Sequence, residues 1–186
     1  VADSVKASSR TAIQRFKEFG LRVILLTGDN KAAAEHIGSI IGADEVVAEV
    51  LPEDKAAVIQ GLQREGNIVM MVGDGINDAP ALVQADVGCA IGNGSDIAIE
   101  SADIVLMKND LTDVSKAVNL SRMTIRNIKQ NLFWAFFYNT IGIPVAAGVL
   151  YPAFNLLLSP MIGALAMSLS SVFVVSNALR LRGKKL

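Results

Sequence analysis

Between Gln130 and Leu179 lie 50 consecutive residues without a Lys, Arg, Asp, Glu or His. A single soluble globule rarely tolerates such a run, because charged side chains are the residues that stay at a folded surface. Arg122, Arg126 and Lys129 precede it, and Arg180, Arg182, Lys184 and Lys185 follow it. Residues 122–186 carry 7 basic and no acidic residues, whereas residues 1–121 carry 10 basic and 18 acidic ones. A net charge of -1 hides this split. The sequence therefore predicts two parts, 1–121 and 122–186. With 52% hydrophobic and 19% charged residues, the composition excludes a disordered chain and one that coats nucleic acid. One cysteine, Cys89, excludes an internal disulfide and a Cys-rich zinc site. Val1–Arg10 is polar and has no signal-peptide pattern. With no initiator Met, the chain is expected to start inside a longer protein.

The uncharged run has the length of two membrane spans. Asp110–Gln130 reads as one long helix that continues into Asn131–Leu150, about 20 residues or roughly 30 Å of helix. Tyr151–Asn155 is a short break, and Leu156–Leu179 is a second span interrupted early by Pro160. Basic residues flank both outer ends and none lies in the break. By the positive-inside rule both ends of this chain face the cytoplasm and Tyr151–Asn155 faces the other side; a multi-pass protein of the plasma (inner) membrane is expected. The competing reading is a helical hairpin buried in the core of a large soluble protein.

The acidic part alternates helices and strands. Ser4–Phe19 has helical spacing and ends at Gly20; Arg22–Leu26 is a short apolar strand. Helix Lys31–Ile41, weak strand Glu45–Val50 and a helix from Pro52 to about Glu65 follow. Strands Ile68–Val72, Asp86–Ile91 and Asp103–Met107 complete the set, the last two separated by a helical stretch, Ser95–Ser101. This order predicts an α/β fold with a parallel sheet. Ligands then belong at the carboxyl ends of the strands.

Three segments lie at strand ends or lead into helices: Thr27-Gly28-Asp29-Asn30, Leu51-Pro52-Glu53-Asp54-Lys55 and Gly73-Asp74-Gly75-Ile76-Asn77-Asp78-Ala79-Pro80. Carboxylates at i and i+4 in a glycine-containing loop can aim at one hard cation such as magnesium. Thr27 can donate a hydroxyl proton to a phosphate oxygen, and Gly28 allows close backbone approach. Lys55 offers a compact positive charge and Asn77 an amide to the same group. Taken singly, each residue has a plainer reading: turn former, helix cap or solvated helix face.

Together these segments resemble the phosphorylation domain of P-type ATPases, within the haloacid dehalogenase superfamily. The resemblance implies that Thr27 and Lys55 contact the phosphoryl group, that Asp74 ligates magnesium with Asp78 supporting that site, and that Asn77 contacts phosphate. It implies that Asp29 either contacts nucleotide or stabilises the Thr27 loop. It also implies a parallel sheet that is incomplete in this chain. The family's nucleophilic Asp stands in an Asp-Lys-Thr-Gly-Thr motif on an upstream strand, and these residues contain no such motif. The implied partners are the lipid bilayer and the remainder of a pump: its nucleotide-binding and actuator domains and earlier membrane helices. A tail-anchored phosphatase of the same superfamily and a non-catalytic membrane module are the alternatives. The first would need its own nucleophilic Asp.

Tyr138, Asn139, Met167, Ser168, Ser170 and Ser171 are polar or soft groups inside the uncharged run, where polar groups are costly. Ser168 and Ser170 suit close helix packing. A thioether suits a soft cation such as Cu(I), and the run has no Asp, Glu or His for a hard ion or Zn(II). Tyr138-Asn139 and Met167-Ser-Leu-Ser-Ser171 resemble the last two spans of copper(I)-exporting members of the heavy-metal branch. That resemblance implies Tyr138, Asn139, Met167 and Ser171 as the copper path, ATP and Mg2+ as cofactors, Cu(+) as cargo, and a copper-delivering protein as a further partner. Cys89 is expected to be a small buried strand residue and His36 a surface residue. Gly92–Asp96 is expected to be a turn and helix cap, at most supporting the magnesium loop.

Overall fold

The computed structural model describes residues 5–73, 76–92, 100–155 and 159–183. The chain divides into two compact units, Val1–Ala117 and Val118–Leu186.

In the first unit the elements run α1 (Ala7–Glu18), β1 (Ile24–Leu26), α2 (Lys31–Ile41), β2 (Glu45–Val47), a 3-10 turn (Pro52–Asp54), α3 (Lys55–Arg64), β3 (Met70–Gly73), a second 3-10 turn (Ile76–Asp78), α4 (Ala79–Gln84), β4 (Val87–Ile91) and β5 (Ile104–Leu106). All paired strands are parallel, as the alternation predicts. They form two sheets rather than one: β1 pairs β2, and β3-β4-β5 form the other. The strands are also shorter than their apolar runs. Ile68 is 87% exposed and lies before β3, and Val50 lies beyond β2. The predicted helical stretch Ser95–Ser101 falls mostly outside the described residues.

Alternation along β4 shows why its run is apolar throughout. Cys89 packs with Ala12, Ile13 and Phe16 of α1 and with Val114 on one face. Ala90 packs with Ile59 of α3, Met71 of β3, and Ala81 and Leu82 of α4 on the other. Successive strand residues point to opposite faces, so a strand covered on both faces cannot carry a polar one. Leu26 of β1 packs against the second cluster, so the two sheets share a core without hydrogen bonding to each other. Gly38, mid-helix in α2, lets that helix sit on β2, because a Cβ there would stand 2.4 Å from Val46 Cγ2.

Helix α5 (Leu111–Ala146) starts in the first unit, with Val114 and Ser115 buried, and continues unbroken for 36 residues. Asp110 accepts from the Thr112 N–H at its start. In the second unit α5 is followed by the short α6 (Tyr151–Phe154) and by α7 (Pro160–Arg182). Pro160 opens α7 after a Ser159 cap rather than interrupting a helix, since a proline at the first position has no N–H to satisfy there. Pro144 is tolerated inside α5, but the helix closes two residues later, short of the predicted Leu150. Tyr151–Phe154, expected as a break, makes one helical turn ended by Asn155 with φ 52°. Residues 156–158 lie outside the described residues. Among the described residues no helix is long and apolar enough to cross a membrane by itself. Asn131, Asn139 and Thr140 dilute the apolar stretch of α5.

Side chains join α5 and α7 within this unit. Asn127 donates to the Asn177 carbonyl at 2.8 Å, Asn177 donates to Asn131 Oδ1 at 2.7 Å, and Asn131 donates to Asn127 Oδ1 at 3.0 Å. Trp134 faces Phe173, with ring centroids 6.4 Å apart. The order 127, 131, 134 against 177, 173 makes the two helices antiparallel.

Candidate functional site

The loop after β1 is tied to the loop after β2 by backbone bonds. The Thr27 N–H donates to Val47 O at 3.0 Å, the Val50 N–H to Thr27 O at 3.1 Å, and the Glu49 N–H to Asp29 O at 3.0 Å. A Cβ at Gly28 would lie 3.2 Å from Val50 O, so a side chain there would push the two loops apart. The Thr27 hydroxyl donates to Asp29 Oδ2 at 2.9 Å and accepts from the Asp29 N–H at 3.2 Å. Asp29 therefore orients Thr27.

Lys55 and Asp78 meet across 23 residues of sequence. Lys55 Nζ lies 2.7 Å from Asp78 Oδ1, and the two side chains are only 15% and 13% exposed. Local folding places both groups. Pro52 starts the 3-10 turn that delivers Lys55 to the first position of α3. The turn Ile76–Asp78 delivers Asp78 to the start of α4, and these two turns touch. Gly73, the last residue of β3, completes the arrangement. A Cβ there would stand 2.7 Å from Asp78 Oδ2, so only glycine leaves room for the carboxylate. Asn77 is exposed on the same turn.

This is an ion pair mostly withdrawn from water at the carboxyl end of a parallel strand, where α/β folds hold ligands. It leaves a fixed ammonium that an arriving phosphoryl oxygen can share. The Asp78 carboxylate is a hard oxygen donor of the kind magnesium takes, one or two at a time. Asp74 and Gly75 lie outside the described residues. Among the described residues no group of three or more His, Cys, Asp or Glu side chains converges to hold a metal. The structure thus brings Lys55 to Asp78 and Thr27 to Asp29, as two local pairs.

Of the residues in the apolar run, Tyr138 packs its ring against Trp134 at 5.9 Å, and Asn139 donates to the Ala135 carbonyl of its own helix at 3.0 Å. Ser171 is exposed on α7, and the side chain of Met167 lies outside the described residues. His36 is exposed on α2. Cys89 is fully buried, and burial pushes its thiol up to about 11, which keeps it protonated and unreactive at neutral pH. Gly92 takes φ 82°, as a turn requires, and residues 93–96 lie outside the described residues. Sequence reading passed over the Asn127–Asn131–Asn177 network. Its only signal is a pair of asparagines at i and i+4 near the start of an uncharged run.

Residues 1–86 match the haloacid dehalogenase-like hydrolase family, and residues 55–118 match a second family of the same description. The chain is 60% identical over 182 residues to "Copper-transporting ATPase 2" of Rhizobium meliloti (strain 1021), covering 98% of this chain and 22% of that protein. It is 54% identical over 186 residues to the "Copper-exporting P-type ATPase" of Vibrio cholerae serotype O1, covering all of this chain and 20% of that one. The chain thus spans about a fifth of the length of these curated relatives. Among solved structures, a zinc-transporting PIB-type ATPase in its E2.Pi state superposes with a TM-score of 0.84 at 37% identity, over 96% of this chain and 28% of that one. The chain carries a haloacid dehalogenase-like domain and, along nearly its whole length, is a homologue of copper-transporting P-type ATPases.

Proposed function

We propose that the chain is part of an ATP-driven copper(I) export pump that works through a magnesium-dependent aspartyl-phosphate. The observation that carries this reading is the Lys55–Asp78 ion pair, seated against Gly73 in the Gly73-Asp-Gly-Ile-Asn-Asp78 loop. The copper-transporting and copper-exporting relatives support it over nearly every residue.

In this reading the chain supplies the groups that stabilise the transferring phosphoryl, and an Asp elsewhere in the pump is the nucleophile. Lys55 places its ammonium on the phosphoryl oxygens. Thr27 turns its hydroxyl from Asp29 to a phosphoryl oxygen, and Asn77 adds an amide donor. Fixed donors of this kind act without reorganising during the reaction. Asp74 and Asp78 would hold Mg2+, which when bound neutralises charge on the phosphate oxygens.

The second unit is assigned to the bilayer. Its support is the uncharged run, the basic residues at both outer ends, and large apolar side chains left exposed on both helices. Phe133 is 60%, Phe136 64% and Met161 82% exposed. Such faces are stable only against lipid or other helices. Tyr138, Asn139, Met167 and Ser171 line the copper path in this assignment, and a copper-delivering protein hands over the ion. No Asp, Glu or His lies in the run, so a site built from this hairpin favours soft Cu(I) over Zn(II).

The test uses the full pump in proteoliposomes. Cu(I) is expected to stimulate ATP hydrolysis and Zn(II) is not, and Asp74→Asn should abolish acid-stable phosphoenzyme. Stimulation by Zn(II) alone would overturn the metal, and undiminished phosphoenzyme in Asp74→Asn would overturn the magnesium assignment.

A further inference from the structure

One stripe of α5 just before the uncharged run passes from cationic to aromatic side chains along the helix axis. Arg122, Arg126 and Lys129 fall at i, i+4 and i+7, one stripe of the helix surface. They extend over about 10 Å of axis. The next residue on that stripe is Phe133, 60% exposed, with Trp134 beside it at 39%. Gln130, the three cations and Ile125 line one shallow groove together with these two rings. The sequence from Val114 to Leu186 contains no acidic residue, so this unit has no carboxylate to offer Arg126 or Lys129.

From this juxtaposition we propose that the groove binds the headgroup of an anionic phospholipid, with Arg126 and Lys129 on the phosphate and Phe133 and Trp134 against the first part of an acyl chain. The inference rests on the membrane assignment above. A free phosphate would use the cations but has no need of an apolar floor continuing from them. An amphiphile with a negative head needs both, in this order along the axis. Two adjacent guanidinium and ammonium groups give charge-assisted bonds to phosphate oxygens. Flat aromatic rings at the boundary of an apolar run suit the interfacial depth.

The experiment uses the full pump reconstituted in phosphatidylcholine vesicles doped with a photo-crosslinking phosphatidylglycerol whose diazirine sits in the acyl chain. Cross-linked peptides are mapped by mass spectrometry. Label is expected on the peptide containing Phe133 and Trp134. Unlabelled phosphatidylglycerol should compete it away, and inorganic phosphate should not. Arg126→Gln with Lys129→Gln should cut this label about tenfold or more. Arg180→Gln with Arg182→Gln, on the other helix, should leave it in place. Copper-stimulated ATPase shows that each variant is folded, and the wild-type competition needs no variant. Equal labelling by a phosphatidylcholine probe, or equal competition by inorganic phosphate, would overturn the proposal. If the phosphatidylcholine probe labels the 133–179 segment but phosphatidylglycerol shows no preference for the stripe, only this inference fails. If no lipid probe labels residues 122–186 at all, the membrane assignment fails with it.

Discussion

Asp78 has two carboxylate oxygens, and a different neighbour makes room for or binds each. Oδ1 holds Lys55, and Oδ2 occupies the space where a side chain at position 73 would begin. The glycine is therefore a statement about its neighbour's carboxylate rather than about its own backbone freedom. It follows that Gly73→Ala is a test of positioning. The added methyl cannot coexist with Asp78 Oδ2 at 2.7 Å, so the carboxylate must swing and take Lys55 with it. A displacement of about 1 Å at such a site costs roughly 100-fold in rate. Rapid-quench phosphorylation of the intact pump from labelled ATP should show that loss, with copper binding unchanged. A variant that phosphorylates at the wild-type rate would show that Asp78 and Lys55 do not need their observed placement. Thr27 offers a complementary case. The sequence offers its hydroxyl to a phosphate, whereas its partner in the fold, the Asp29 carboxylate, emerges only from the loop geometry.

At the scale of elements, three aspartates repeat one device. Asp44 accepts from the Val23 N–H, Asp86 from the Val69 N–H and Asp103 from the Gly88 N–H, each at 2.8 Å. In return the Asp44, Asp86 and Asp103 N–H groups donate to the carbonyls of Val23, Val69 and Gly88. Each aspartate precedes one parallel strand and clamps the start of its neighbour, satisfying backbone groups that the ladder has not yet reached. The Lys17 ammonium and then the Val23 N–H hold the Asp44 carboxyl below its ordinary range; for Asp86 the Val69 N–H is the larger cause and Gln63 the smaller. Because the folded values are depressed, this stabilisation is present above the unfolded value of 3.8 and is lost as pH falls through the folded values. Asp86→Asn keeps an acceptor oxygen but removes the charge. The variant should melt below wild type at pH 7 and approach it at pH 3, read as the thermal midpoint of the intact pump. A gap that persists undiminished at pH 3 would show that the carboxylate charge is irrelevant. The parallel strands and most helices were legible because period and punctuation are local. Where the sheet divides was not, because no run of residues reports which strands pair; the resemblance implies only that the sheet is incomplete. Pro160 was misread for a related reason: a proline within an apolar stretch ends one helix or begins another, and only the Ser159 cap decides which.

At the scale of the whole molecule, the proposed function makes this site half of a reaction. In the roles proposed for them, Thr27, Lys55 and Asn77 can lower a barrier only when a nucleophile stands in line with the phosphorus. Asp29 is held by its own loop, and Asp78 is held by Lys55. Neither is free to attack. In this reading the acidic unit is an electrophile-stabilising surface that another part of the pump must face, and catalysis belongs to the joined polypeptides. A split pump tests this directly. The chain is coexpressed with a separate polypeptide carrying the remainder of a relative's sequence, purified as a complex, and incubated with γ-labelled ATP, magnesium and Cu(I). After an acid quench the two chains are separated. Label should appear on the other polypeptide and none on this one, while the chain purified alone should give no acid-stable label. Lys55→Met in this chain should then suppress label on its partner by about 100- to 1,000-fold, the usual cost of removing one preorganised charge from a phosphoryl-transfer site. Acid-stable label on any Asp of these residues would mean that the nucleophile lies here, and that the Lys55–Asp78 pair has been assigned to the wrong side of the reaction.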